Sequence, residues 1–194
     1  MTTSEPTFIV GIGGSAGGLY AYTALLDALS PGTGMAFVIL SHVLPTASEQ
    51  LSQLLRVHTQ MPVLVAADGM PIKSDHVYIN PPNADVRIEN NAFNIVSPRS
   101  VSNRQVDFFL VSLAEAIGAR AIGVILSGYD GDGTIGCKMI KAMGGKTFAQ
   151  DTTAYVGAMP KSAQTAGCID FVLPPERIAV ELKKLAGRSH VSAS

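Results

Sequence analysis

The sequence predicts an α/β fold in which helices cover both faces of a mainly parallel, doubly wound sheet. Strand-like and helix-like segments alternate near both ends of the chain, which is typical of parallel sheets with crossover helices. Residues 121–126 are apolar throughout, as expected for a strand that is buried on both faces. A glycine-rich turn, residues 11–18, separates a β-prone run from an alanine- and leucine-rich run and predicts a strand, a tight turn and a helix.

Apolar periodicity, glycine and proline give the elements their bounds in chain order. Gly32 follows the end of the first helix, Gly144 and Gly145 follow a later helix, and Pro175 begins the last one. The predicted strands are residues 8–13, 36–40, 62–66, 121–126, 146–149 and 169–173. The predicted helices are residues 16–29, 48–57, 106–117, 134–143, 159–166 and 175–185.

The middle of the chain has a different pattern, in which short β-prone pieces alternate with turns rich in asparagine and proline. These pieces, residues 77–79, 86–88 and 93–96, predict a small antiparallel β meander at the edge of the fold. With the flanking segments, the pattern predicts one domain over residues 8–187, a flexible lead over residues 1–7 and a tail over residues 188–194.

Composition excludes several classes of function. The net charge is −1 and no Lys/Arg cluster occurs, so we expect no nucleic-acid partner. Residues 7–26 carry no charge, but the first Lys or Arg is Arg56, so a signal peptide would lack its basic region. We therefore expect a cytoplasmic protein without membrane insertion. Cys137 and Cys168 lie in apolar surroundings and indicate buried, reduced thiols, with a disulfide between them as the alternative.

The glycine-rich turn has three interpretations. It fits a dinucleotide-binding fingerprint, but that fingerprint requires an acid after the next strand, where Ser41 and His42 stand instead. It also matches the G-x-S-x-G nucleophile elbow, with Ser15 as the nucleophile. The third interpretation is structural, with glycines that permit tight packing and Ser15 as a helix N-cap.

Three polar residues follow strands whose carboxyl ends share one edge of the predicted sheet. Ser15, His42 and Asp132 follow the first, second and fourth predicted strands. Serine, histidine and carboxylate form an activated nucleophile when they meet, so we predict a Ser-His-Asp triad. His42 alone is equally a polar strand terminus, Asp132 is equally an N-cap of the next helix, and Asp130 is an alternative acid. No metal-ligand spacing occurs, and we predict neither a metal nor a cofactor.

The motifs together are more specific than any one of them. They are residues 13–18, 40–45 and 124–128, with Asp132-Gly133, Gln150-Asp151, Met159-Pro160 and residues 170–175. Over residues 8–186 this set resembles the catalytic domain of CheB-type protein-glutamate methylesterases. The resemblance implies a doubly wound sandwich that hydrolyses γ-glutamyl methyl esters and releases methanol. It also implies Ser15 as nucleophile, His42 as base, Asp132 as acid, and the backbone N–H groups of Ala16 and Tyr129 as the oxyanion hole.

The resemblance implies partners as well as chemistry. The substrate would be a methylated chemoreceptor or sensory protein, methyltransferase and receiver-domain proteins are candidate partners, and related members also deamidate glutamine. The receiver domain that usually precedes this one is absent, which predicts a stand-alone esterase or one module of a longer chain. In the acid loop, Asp130 and Gly131 precede the Asp132-Gly133 pair, where relatives commonly carry an uncharged residue. The alternatives are a weakly active regulatory module and a Rossmann nucleotide-binding domain.

Overall fold

The computed structural model describes residues 5–42 and 47–191. Its strands are β1 Ile9–Gly14, β2 Ala36–Ser41, β3 Val63–Val65, β4 His76–Ile79, β5 Asp85–Glu89, β6 Ala92–Val96, β7 Ala121–Ile125, β8 Lys146–Gln150 and β9 Phe171–Leu173. Its helices are α1 Gly18–Asp27, α2 Ala47–Leu55, α3 Gln105–Ile117, α4 Thr134–Ala142, α5 Ala158–Thr165 and α6 Pro175–Val191. Residues 43–46, which include half of the motif at 40–45, lie outside the described residues, as do residues 1–4 and 192–194.

The main sheet has seven strands in the order β3-β4-β2-β1-β7-β8-β9, and every neighbouring pair is parallel. Strands β1 to β4 form one half of the sheet, and the chain then returns to the other side of β1, where β7, β8 and β9 follow in order. The direction in which strands are added therefore reverses beside β1. Ligands of such sheets bind outside the carboxyl ends of the strands at this reversal. The predicted doubly wound fold is confirmed, and β1, β2 and β7 meet at its switch point.

Two apolar layers enclose the sheet. On one face, α1, α2 and α6 pack over side chains such as Val10 of β1. On the other face, α3, α4, α5 and the β5–β6 hairpin pack over side chains such as Ile9. All six residues of β1 are buried, because successive strand side chains alternate between the two layers. This double burial explains why β1 contains no charged residue.

The prediction for residues 77–79 as part of a meander is wrong. These residues belong to β4, which lies inside the main sheet between β3 and β2 and is parallel to both. Val77, Tyr78 and Ile79 are all buried, as expected for an internal strand, whereas β5 and β6 form the antiparallel hairpin.

The ends of the chain also differ from the predicted bounds. Helix α6 runs through Gly187 to Val191, beyond its predicted end at residue 185. Of the predicted lead, residues 5–7 are described: Pro6 is buried, and Thr7 donates its N–H (2.9 Å) and its hydroxyl (3.1 Å) to the carbonyl oxygen of Gly34. The two cysteines are buried free thiols.

The contacts of Asp170, the residue before β9, predict that its contribution to stability is lost in acid. Its carboxylate accepts from the Thr147 N–H (3.0 Å) and hydroxyl (3.1 Å), and lies 3.2 Å from Lys141 Nζ. Burial acts to raise the pKa of Asp170, but the bonds from Lys141 and Thr147 outweigh it, so this pKa lies below its usual value. A lowered carboxyl pKa stabilises the fold above the unfolded-state pKa, and that contribution disappears as pH falls through the folded-state pKa.

We therefore expect Asp170→Asn to lower the free energy of unfolding at pH 7. The difference from wild type should shrink as pH falls from about 4 through the acid range. Urea unfolding at several pH values measures it. A difference that stays constant down to pH 2 would show that the charge of Asp170 does not contribute.

Candidate active site

Ser15 stands directly after β1 and makes its own hydrogen bonds through its backbone. Its N–H donates to the Ser127 carbonyl oxygen (2.9 Å), and its own carbonyl accepts from the Gly18 N–H (2.9 Å). Within the described residues, its hydroxyl has no hydrogen-bond partner. The N-cap of α1 is Gly17, without a side-chain cap, so the interpretation of Ser15 as an N-cap is wrong.

The glycines of this turn allow close approach from three sides. Gly17 has φ +74°, and a Cβ there would lie 2.7 Å from Ser127 Oγ and 2.8 Å from Tyr155 Cβ. Only glycine adopts this conformation without strain. Gly14 packs just as closely on the buried hydroxyl of Tyr22, which a Cβ at position 14 would approach to 2.5 Å. Close packing by Ser127, Tyr155 and Tyr22 therefore fixes where Ser15 stands.

His42 follows β2, and its imidazole is hydrogen-bonded to Asp132. The distance from His42 Nε2 to Asp132 Oδ2 is 2.7 Å, and the two side chains are 8% and 0% exposed. Ser41, the residue before His42, is fixed by buried Asn80. The Asn80 side chain accepts from the Ser41 N–H (2.9 Å) and donates to the Ser41 carbonyl (3.3 Å). These two hydrogen bonds fix the end of β2 and therefore the backbone from which the His42 side chain extends.

Asp132 is itself fixed by the N-terminus of α3. Its Oδ2 accepts from the Val106 N–H (3.0 Å), and its Oδ1 accepts from the Asp107 N–H (2.8 Å). The idea that Asp132 caps the helix after it is wrong, since the N-cap of α4 is Gly133 and no side chain caps that helix. The positive end of the α3 dipole stabilises the carboxylate that faces His42.

Asp107 extends this support to α4. Its Oδ1 accepts from the Gly136 N–H in the first turn of α4 (2.9 Å), so each acid braces the start of a helix. Burial raises the pKa of Asp107, and the neighbouring charge of Asp132 raises it further against the hydrogen bond from Gly136. Asp107 contacts no nitrogen of His42 and therefore acts as a brace behind the site.

Asp130 lies on the other side of the imidazole. Its Oδ2 is 3.6 Å from His42 Nδ1, while its Oδ1 accepts from the Asp132 N–H (3.0 Å). Asp132 makes the hydrogen bond to the imidazole and Asp130 makes only the longer ionic contact. Among the described residues no hydrogen bond joins His42 to Ser15, whose turn follows the adjacent strand β1.

Two backbone N–H groups beside Ser15 are free to bind a ligand. In the described part of the chain, neither Ala16 N–H nor Tyr129 N–H donates to a protein group. The loop that carries Tyr129 lies against the glycine-rich turn, because a Cβ at Gly128 would be 3.1 Å from the Ser15 Cβ. The Ser127 hydroxyl links this loop to the turn by donating to the Ala16 carbonyl (2.7 Å).

A family model described as CheB methylesterase matches residues 10–182. This chain belongs to the CheB methylesterase family. It is 36% identical over 188 residues to a Burkholderia lata protein named protein-glutamate methylesterase/protein-glutamine glutaminase 2, covering 92% of this chain and 53% of the relative. It is 34% identical over 172 residues to a Leptospira interrogans protein provisionally named for the same two activities, covering 87% of this chain and 89% of the relative.

A solved structure agrees with this family. The crystal structure of the Thermotoga maritima CheB methylesterase catalytic domain superposes with a TM-score of 0.83 at 31% identity, covering 92% of this chain and 98% of that one. The chain thus spans about half the length of the Burkholderia relative and nearly all of the Thermotoga catalytic domain.

The CheB-family site contains supporting residues that the sequence did not single out. Asn80 stood in a segment interpreted only as a turn, and Asp107 stood in the first turn of a helix. Tyr22 lay inside the predicted helix 16–29, where no local pattern gives its hydroxyl a role. In the stretches 5–42 and 47–191 no group of three or more His, Cys, Asp or Glu side chains is arranged to hold a metal ion. None of the helices in those stretches has the length and hydrophobicity needed to span a bilayer.

Proposed function

We propose that this chain is a serine hydrolase that demethylates γ-glutamyl methyl esters of chemoreceptor or sensory proteins and also deamidates glutamine. The observation that carries the proposal is the 2.7 Å hydrogen bond between His42 and a buried Asp132, at the sheet edge where the Ser15 turn stands. Membership of the CheB methylesterase family supports the substrate class. A cytoplasmic location and methyltransferase or receiver-domain partners belong to the same proposal.

The geometry supports a role for each group in this reaction. Asp132 accepts the Nε2 proton of His42, so Nδ1 is the nitrogen left to take the proton of Ser15. Ser15 Oγ attacks the ester carbonyl, and the Ala16 and Tyr129 N–H groups stabilise the oxyanion, at about 3–4 kcal/mol for a donor of this kind. His42 then returns the proton to departing methoxide, giving methanol. A water molecule, deprotonated by His42, hydrolyses the acyl-enzyme and regenerates Ser15.

The test is incubation of the protein with a receptor fragment that carries glutamyl methyl esters. We expect methanol release above the buffer rate, together with loss of the methyl group from the fragment by mass spectrometry. An unmethylated fragment should yield no methanol and serves as the control. A correctly folded protein that releases no methanol would instead favour a regulatory module that keeps the fold without turnover.

A further inference from the structure

His42 Nδ1 has a second polar neighbour besides the incoming serine. Nε2 is occupied by Asp132, so both the Ser15 proton and the proton for the leaving group pass through Nδ1 in the proposed reaction. Asp130 Oδ2 lies 3.6 Å from this nitrogen. The carboxylate is oriented, because its other oxygen accepts from the Asp132 N–H (3.0 Å), and it is accessible, since 35% of its side-chain surface is exposed.

A leaving group that receives its proton from Nδ1 must therefore stand close to a fixed carboxylate. The relatives are named for two activities, hydrolysis of glutamyl methyl esters and of glutamine amides, and the two substrates differ in the group that leaves. A glutamine amide carries N–H groups, and its nitrogen gains a proton as it leaves. A methoxy oxygen carries only lone pairs, which a carboxylate repels. Hydrogen bonds to a charged group are stronger than those to a neutral one.

We propose that Asp130 is a specificity-determining residue that favours glutamine amides over glutamyl methyl esters at this site. The inference rests on the proposed function and concerns its substrate preference. In the amide reaction, Ser15 Oγ bonds to the side-chain carbonyl carbon and its proton moves to Nδ1. The C–N bond then breaks as that proton reaches the nitrogen. The departing ammonia donates a hydrogen bond to Asp130 Oδ2. Water hydrolyses the acyl-enzyme to glutamate, as in the ester reaction.

The experiment compares two peptides that are identical except for glutamine or glutamyl methyl ester at the reacting position. Ammonia and methanol release give kcat/KM for each. Both peptides form the same acyl-enzyme, so deacylation is common to them and the ratio of the two values compares the earlier steps, in which the two leaving groups differ. A variant that impairs attack by Ser15, a step common to both peptides, lowers both values together, so the ratio reports what differs between the two leaving groups.

Asp130→Asn should lower the amide-to-ester ratio by about tenfold or more, as expected for loss of a hydrogen bond to a charged acceptor. Asparagine keeps an oxygen for the Asp132 N–H and places an amide donor where Oδ2 stood. Asp130→Ser, which removes the charge with a smaller side chain, should lower the ratio in the same direction.

The matched control is Asp27→Asn. Asp27 makes a histidine–carboxylate contact of 3.0 Å with His58 at the far end of α1, so its loss removes the same charge without touching the site. The ratio should stay at its wild-type value in this variant. An unchanged ratio in both Asp130 variants, or a wild type with ester turnover and no amide turnover, overturns the role of Asp130 alone. A wild type that hydrolyses neither peptide overturns the proposed function, and this inference with it.

Discussion

Ser15→Ala is expected to lower kcat for ester hydrolysis by about 10⁴-fold or more while leaving the stability of the protein unchanged. The loss follows because Ser15 carries the one hydroxyl group of the glycine-rich turn, residues 11–18. Stability should persist, because the Ser15 hydroxyl makes no hydrogen bond within the described residues. The two hydrogen bonds that Ser15 makes come from its backbone N–H and carbonyl, which alanine retains.

Methanol release and thermal unfolding are measured on the same preparation. Ser127→Ala is the matched control, because the buried Ser127 hydroxyl donates to Ala16 and accepts from the Val156 N–H (2.9 Å). That variant should lose about 1–3 kcal/mol of unfolding free energy, the cost of leaving buried polar groups unpaired. Turnover retained by Ser15→Ala, with an unchanged unfolding temperature, would exclude Ser15 as the nucleophile.

Adding His42→Ala to Ser15→Ala should cause no further loss of activity, because members of one catalytic unit are strongly non-additive. A double variant that is clearly slower than Ser15→Ala would mean that His42 contributes by a route that does not pass through Ser15.

The parallel sheet was predictable because its central strands are buried on both faces, and double burial leaves an apolar run such as residues 121–126 in the sequence. Strand β4 was not predictable in the same way. Its four residues stand beside a turn rich in asparagine and proline, which resembles the turns of an edge hairpin. Its place between β3 and β2 depends on pairings with distant residues, and no local pattern records them.

The site shows the same division between local and distant information. Each of Ser15, His42 and Asp132 was expected at the end of a strand, and the structure places all three after strands at the switch point. The capping role of Asp132 was assigned to the wrong helix. A carboxylate just before a helix predicts a cap for that helix, whereas the N–H groups it accepts from begin α3, 25 and 26 residues earlier in the chain.

Asp132→Asn is expected to impair both activity and stability. Asparagine cannot hold the Nε2 proton of His42 as a carboxylate does, so the imidazole loses its orientation and the stabilisation of its charged form. We expect kcat/KM for the ester to fall by about three to four orders of magnitude. Both carboxylate oxygens also accept from α3 N–H groups, so the new amide group faces a donor, which should cost about 2 kcal/mol of unfolding free energy.

Asp107→Ala separates the two effects. Asp107 braces the start of α4 by accepting from the Gly136 N–H but contacts no nitrogen of His42, so alanine leaves that buried N–H without its acceptor, and this variant should lose stability with a much smaller loss of activity. Ester kcat/KM and urea unfolding are measured for the Asp132, Asp107 and Asp130 variants. Together they show which acid orients His42 and which acid supports only the fold. If Asp130→Asn lowers ester kcat/KM further than Asp132→Asn does, Asp130 is the orienting acid. The 2.7 Å bond from Asp132 to His42 would then describe a resting arrangement rather than the working one.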